Sequence, residues 1–180
     1  PLPDLATDVS RPNAWNCNKT NFAPLLLKNG TVILGYRSKS CATTYCVGIH
    51  CQKLGIAVSH TGVKGPYELR QERLDALDGN EDPFMWQNKR GFFMVMHGKV
   101  ICGLDQQAVN TCGTLAYSQD AYNWYLSPFP MYTGTVYCDP SLNKKPEELW
   151  LRQRPKILFN NEGTPMVLYN GGQRWNARYV

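Results

Sequence analysis

Glu81 and Asp82 are adjacent carboxylates that stand directly before Pro83 and the apolar run Phe84-Met85-Trp86. Carboxylates in such a place can hold a proton or accept hydrogen bonds from hydroxyl groups, the two things that sugar chemistry asks of a site. Cleavage of a glycosidic bond takes two carboxyl groups facing each other across the bond. Sequence neighbours on an extended backbone point to opposite sides, so Glu81 and Asp82 do not make that pair unaided. The expectation is that one faces a binding channel while a neighbouring part of the fold satisfies the other.

The elements that must position them are strands. Helical signals are poor, the best being Pro146 to Arg152. What recurs is a hairpin. Leu25-Leu26-Leu27 turns through Lys28-Asn29-Gly30 into Thr31-Val32-Ile33-Leu34. Phe84-Met85-Trp86 turns through Lys89-Arg90-Gly91 into Phe92-Phe93-Met94-Val95-Met96. Ile157-Leu158-Phe159 turns through Asn160-Asn161-Glu162-Gly163 into Met166-Val167-Leu168-Tyr169. Each first strand follows a proline: Pro24, Pro83 or Pro155. Between the hairpins a second unit repeats, Gly55–Ser59 leading to Tyr67-Glu68-Leu69 and Gly113–Ser118 leading to Trp124-Tyr125-Leu126. Four strands per repeat of about 60 residues reads as the blades of a β-propeller. The fold class is therefore all-β, a single partial propeller domain over residues 1–180, with about three four-stranded blades near 21–71, 80–129 and 133–180. A β-sandwich with two similar hairpins is the alternative. Closed propellers have typically four to eight blades, so the chain reads as a fragment.

In such a fold the residues leading each first strand gather at one mouth. Aligned on the prolines, Ala23, Asp82 and Arg154 are equivalent, preceded by Phe22, Glu81 and Gln153, and before those by Asn21, Asn80 and Arg152. The second strands end in Arg37, His97 and Asn170. A polar cluster over an apolar barrel is the default binding-site expectation. The candidate binding residues are Asn21, Arg37, Glu81, His97 and Arg154, with Trp86 as a stacking surface; Trp124 is a weaker one. Against these, Asp82 can simply serve a turn, His97 can be a satisfied core histidine, and Asp120 reads as an outer-turn residue.

The chain has 180 residues and a net charge of +5. Its basic residues are scattered, without the stripe or arm that nucleic-acid binding uses. No apolar run is long enough for a membrane helix. The expected partner is a carbohydrate, with no nucleic acid, no membrane, and a monomeric state. Seven cysteines in this length fit no common zinc spacing. They point to disulfides, an oxidising compartment and a secreted protein. The sequons at Asn18 and Asn29 agree with a glycoprotein.

Three segments, EDPFMW with RGFFMVMH, GTLAYSQDAYNW, and LRQRPKILFNNEGTPMVLYNG, resemble five-bladed propeller glycoside hydrolases of the family 43 type. The closer likeness is to an uncharacterised branch with EDPF and RERP segments, and it runs from about Asn21 to Gly171. The resemblance implies a base aspartate in an early blade, a second aspartate that tunes the acid, and a general-acid glutamate in a later blade. Asp82 takes the tuning role. The base should lie upstream of Asn21, where Asp4 and Asp8 sit in no visible strand. The acid position reads Gln153, the shape of a glutamate without its proton; general acids typically contribute 10²–10⁴-fold. The resemblance thus implies a hydrolase acting on or binding a carbohydrate. A non-catalytic or decayed sugar-binding propeller, and a structural extracellular domain, stay open beside it. No cofactor or metal is expected: such folds can hold a channel calcium, but no ligand cluster in the sequence argues for one.

Overall fold

The structure is a computed structural model, and it describes residues 14–39, 52–70, 74–98, 111–137, 141, 143 and 145–174. Its described elements are β-strands and one 3-10 turn, Asp75–Leu77. Antiparallel pairing builds three sheets. The first runs in order β1 (Asn18–Leu26), β2 (Val32–Lys39), β3 (Lys53–Ser59) and β4 (Glu68–Leu69). The second repeats that order with β5 (Glu81–Asn88), β6 (Gly91–His97), β7 (Gly113–Ser118) and β8 (Tyr125–Tyr132). The third has three strands, with β10 (Glu147–Phe159) between β11 (Pro165–Arg174) and β9 (Thr135–Val136). The architecture is all-β and agrees with a propeller-like arrangement, while the described residues form no closed ring.

Sequence alone makes these strands. β2 and β6 sit inside their sheets, and each carries an apolar run, Val32–Leu34 and Phe92–Met96, before its polar end, as burial on both faces favours. The turns fall at the expected residues. Asn29 accepts the amide of Thr31 across the first, and Asn160 accepts the amides of Glu162 and Thr164 across the third. Gly91 closes the second with φ of 139°, where a Cβ would meet the Ser118 carbonyl at 2.5 Å.

Two expectations change. Residues 147–152 are extended, not helical, because this segment is the lead of β10 and pairs with β11 from Leu149 onward. Among the described residues the third sheet shows three strands, where four were expected. Its 13-residue β10 overshoots the hairpin, and the overhanging Glu147 and Glu148 pair with the short β9.

The sheets stack face to face. Ile33, Leu54, Ile56 and Val58 of the first pack on Met85, Met94 and Met96 of the second. Val95 and Tyr132 of the second pack with Ile157 of the third, edged by Phe84, Trp86, Phe159 and Leu168. β5 therefore lies in the middle, against β1 and β2 on one side and β10 on the other. Burial of these side chains, about 1.5–3 kcal/mol each, holds the leads of β1, β5 and β10 together. Cys17 and Cys112 are buried and disulfide-bonded. The remaining five cysteines, and Asp4 and Asp8, lie outside the described residues.

Candidate functional site

All three leading strands carry the same irregularity. In β1 the register jumps between Thr20 and Ala23, opposite Arg37 and Gly35. In β5 it jumps between Glu81 and Phe84, opposite His97 and Val95. In β10 it jumps between Gln153 and Lys156, opposite Gly171 and Tyr169. Each is a bulge with two residues set against one. The first bulged residue is left-handed every time, with φ of 51° at Asn21, 54° at Asp82 and 52° at Arg154. Residues other than glycine take this conformation at a cost of order 1–2 kcal/mol, asparagine and aspartate most easily.

This corrects the alignment on prolines. Pro83 and Pro155 occupy the second bulge position, but Phe22 fills it in β1, and Pro24 lies beyond the bulge in regular pairing with Leu34. The equivalent residues are Asn21, Asp82 and Arg154, preceded by Thr20, Glu81 and Gln153. Asn80, grouped with Asn21 by the sequence, is buried and donates to the Leu77 carbonyl at 2.9 Å.

The bulge also overturns the expectation that Glu81 and Asp82 diverge. A left-handed residue breaks strand alternation, and ligand-capable atoms of Glu81, Asp82 and His97 lie within 4.8 Å of one another. The two acids nevertheless have separate environments. Glu81 Oε2 accepts from Arg37 Nη1 at 2.7 Å, and Glu81 Oε1 is 3.2 Å from Nδ1 of the fully buried His97. Arg37 also donates to Thr20 Oγ1 at 3.1 Å. Glu81 is thus satisfied by the first sheet and by its own cross-strand partner. Asp82 instead turns to the mouth, where Asn21 Nδ2 donates to its Oδ1 in a short hydrogen bond. Burial pushes the Asp82 carboxyl up from the usual carboxylate range, and the Glu81 charge pushes it further, while His97, Arg154 and Arg37 oppose that rise.

Asn21, Phe22, Asp82, Pro83, Arg154 and Lys156 line a cavity of about 240 Å³ at this mouth. The structure therefore brings together Asn21, Asp82 and Arg154, with Glu81, Arg37 and His97 as the bracing behind them. Gln153 does not line the cavity; it pairs with Gly171 one residue before Arg154. Trp86 lies further along β5, stacked on Phe93 at 5.2 Å between ring centres and tilted against Phe84 and Phe159. Trp124 is buried and donates to the Ala121 carbonyl. Asp120 organises a turn, accepting the amides of Tyr122 and Asn123, which holds its carboxyl well below the usual range. Phe22 stood among the residues leading the first strands but not among the candidate binding residues, and Lys156 was missed by the sequence, where it looked like an ordinary strand lysine.

The Glu81, Asp82 and His97 trio has metal-ligand composition, which the sequence did not bring together. Its chemistry does not suit a cation. Both oxygens of Glu81 are engaged, and Arg37 and Arg154 add positive charge at Asp82.

No family model matches the chain, and no curated protein does. A solved structure described as a thermostable family-43 glycoside hydrolase is similar in fold, at 13% sequence identity and a TM-score of 0.49. The match covers 81% of this chain, which spans about half of that structure's length, 46%.

Proposed function

We propose that the mouth formed by the leads of β1, β5 and β10 binds a carbohydrate. The observation that carries this reading is the threefold bulge: three separate strands each hold a non-glycine residue left-handed, and the three side chains meet at one cavity. Strain repeated at one place argues for function at that place. The cavity chemistry suits a sugar ring. Asp82 accepts from hydroxyls, Asn21 and Arg154 donate to them, and Phe22, 42% exposed, offers an apolar face beside them. The protein's other partners, compartment and oligomeric state enter this reading as a secreted, monomeric sugar-binding protein.

The test is titration calorimetry against neutral and acidic oligosaccharides, with Phe22→Ala alongside the parent protein. Loss of an aromatic contact of this kind, about 0.5–1.5 kcal/mol, should weaken sugar binding three- to tenfold while the melting temperature stays within a few degrees. A parent protein that binds no sugar sinks the reading.

Hydrolysis is the second reading, favoured by one observation. Asp82 holds its proton more tightly than an ordinary carboxyl, as an acid catalyst or its tuning partner does. Cleavage needs a second carboxyl across the bond, and among the described residues lining the cavity Asp82 is the only acid. Gln153→Glu restores a carboxylate at the acid position that the resemblance implies. If the chain descends from a hydrolase, this variant should gain cleavage of aryl arabinosides or xylosides. A variant as inactive as its parent removes Gln153 from any catalytic role.

A further inference from the structure

The cations around the mouth divide into two sets. Arg37 is committed to Glu81 and Thr20. Arg152 is committed to Asn170 at 3.1 Å and the Thr133 carbonyl at 2.8 Å, with its guanidinium over the Tyr132 ring. Arg154 and Lys156 differ. Both are exposed and both line the cavity, yet neither makes a hydrogen bond or salt bridge among the described residues. Lys156 is placed by packing alone, its ammonium 5.3 Å from the centre of the Phe84 ring. Arg154 is placed by its left-handed backbone. Both feel Asp82 electrostatically, but that carboxyl is bonded to Asn21. Two uncommitted cations facing one carboxyl leave the cavity with an excess of positive charge and unused donors.

We propose that the ligand is an acidic sugar, a hexuronate whose ring occupies the Asn21, Phe22 and Asp82 side of the cavity and whose carboxylate is held by Arg154 and Lys156. A neutral sugar would leave both cations without a partner. A carboxylate takes the guanidinium in a two-point contact and the ammonium as a point charge, the stronger kind of hydrogen bond. This inference rests on the carbohydrate reading above and specifies its substrate class.

The experiment is calorimetric titration of the parent protein, Arg154→Gln and Lys156→Gln with trisaccharides of galacturonate, glucuronate and mannuronate. Their methyl esters and xylotriose serve as neutral counterparts. At least one uronate should bind the parent about tenfold more tightly than its ester, a charge-assisted bond's worth. Each variant should lose more affinity for the acid than for its ester, so that the roughly tenfold preference for the acid disappears, with melting temperatures showing that both fold. Neutral sugars binding as tightly as uronates, or uronate affinity indifferent to both substitutions, would overturn the proposal and leave the carbohydrate reading standing. A parent that binds neither kind overturns both.

Discussion

Glu81→Ala should lower the unfolding free energy by about 3 kcal/mol, near the lower end of what breaking a buried ion pair costs. Glu81 is the shared partner of Arg37 and His97, at 2.7 and 3.2 Å, and it ties the lead of β5 to the first sheet. Removing it strands a guanidinium in the sheet interface and leaves Nδ1 of a fully buried imidazole without its acceptor. The cost stays near 3 kcal/mol because Arg37 keeps 26% of its side-chain surface in water. Glu81→Gln should cost less, since an amide still accepts from Arg37. Replacing both partners with apolar residues, Glu81→Leu with Arg37→Met, should recover much of the loss, because it leaves no charge behind at that pair. Urea unfolding of the three variants measures this directly. An alanine variant within about 0.5 kcal/mol of its parent, the range of ordinary surface substitutions, would mean that the pair is not a brace.

Asp82→Asn should do the opposite to stability while weakening binding. The native state raises the Asp82 pKa, through burial first and the Glu81 charge second. A raised value means that the folded protein holds this proton more tightly than the unfolded chain. The resulting stability is present below the ordinary value of 3.8 and is lost as pH rises through the higher folded value. Asparagine has nothing to ionise and can still accept from Asn21. The variant's melting temperature should therefore match the parent's in acid and exceed it increasingly toward neutral pH. Its affinity for sugar should fall about tenfold or more, since a neutral amide replaces charge-assisted acceptance. Calorimetric scans from about pH 3 to pH 8 span that range. A melting difference constant across it would mean that Asp82 titrates normally.

These two acids show how much of the site the sequence carried. That one of them is satisfied by a neighbouring sheet while the other faces the mouth follows from their adjacency, and the structure arranges them so. What the sequence misread is the geometry between them. Alternation along a strand sets neighbours on opposite faces, but alternation assumes regular φ and ψ, and Asp82 at φ 54° is not regular. Proline was a fair marker of the bulge in β5 and β10. It failed in β1, where Phe22 holds that position, because a bulge is made by backbone pairing and tolerates several residues there. Trp86 was attractive as a stacking surface, and its cross-strand neighbour Phe93 claims it instead.

The strands, their turns and the fourfold rhythm of the first two sheets were determined by the sequence itself. Apolar runs and turn residues act locally, over spans short enough to read from the chain. That the leads of the first strands gather at one mouth follows from the repeat, but which of their residues meet there, Asn21, Asp82 and Arg154, more than 60 residues apart along the chain between each pair, was decided by tertiary structure alone. It depends on the register of three ladders and the stacking of three sheets. Those are set by the summed packing of cores such as that around Met85, Met94 and Met96, not by any residue at the mouth.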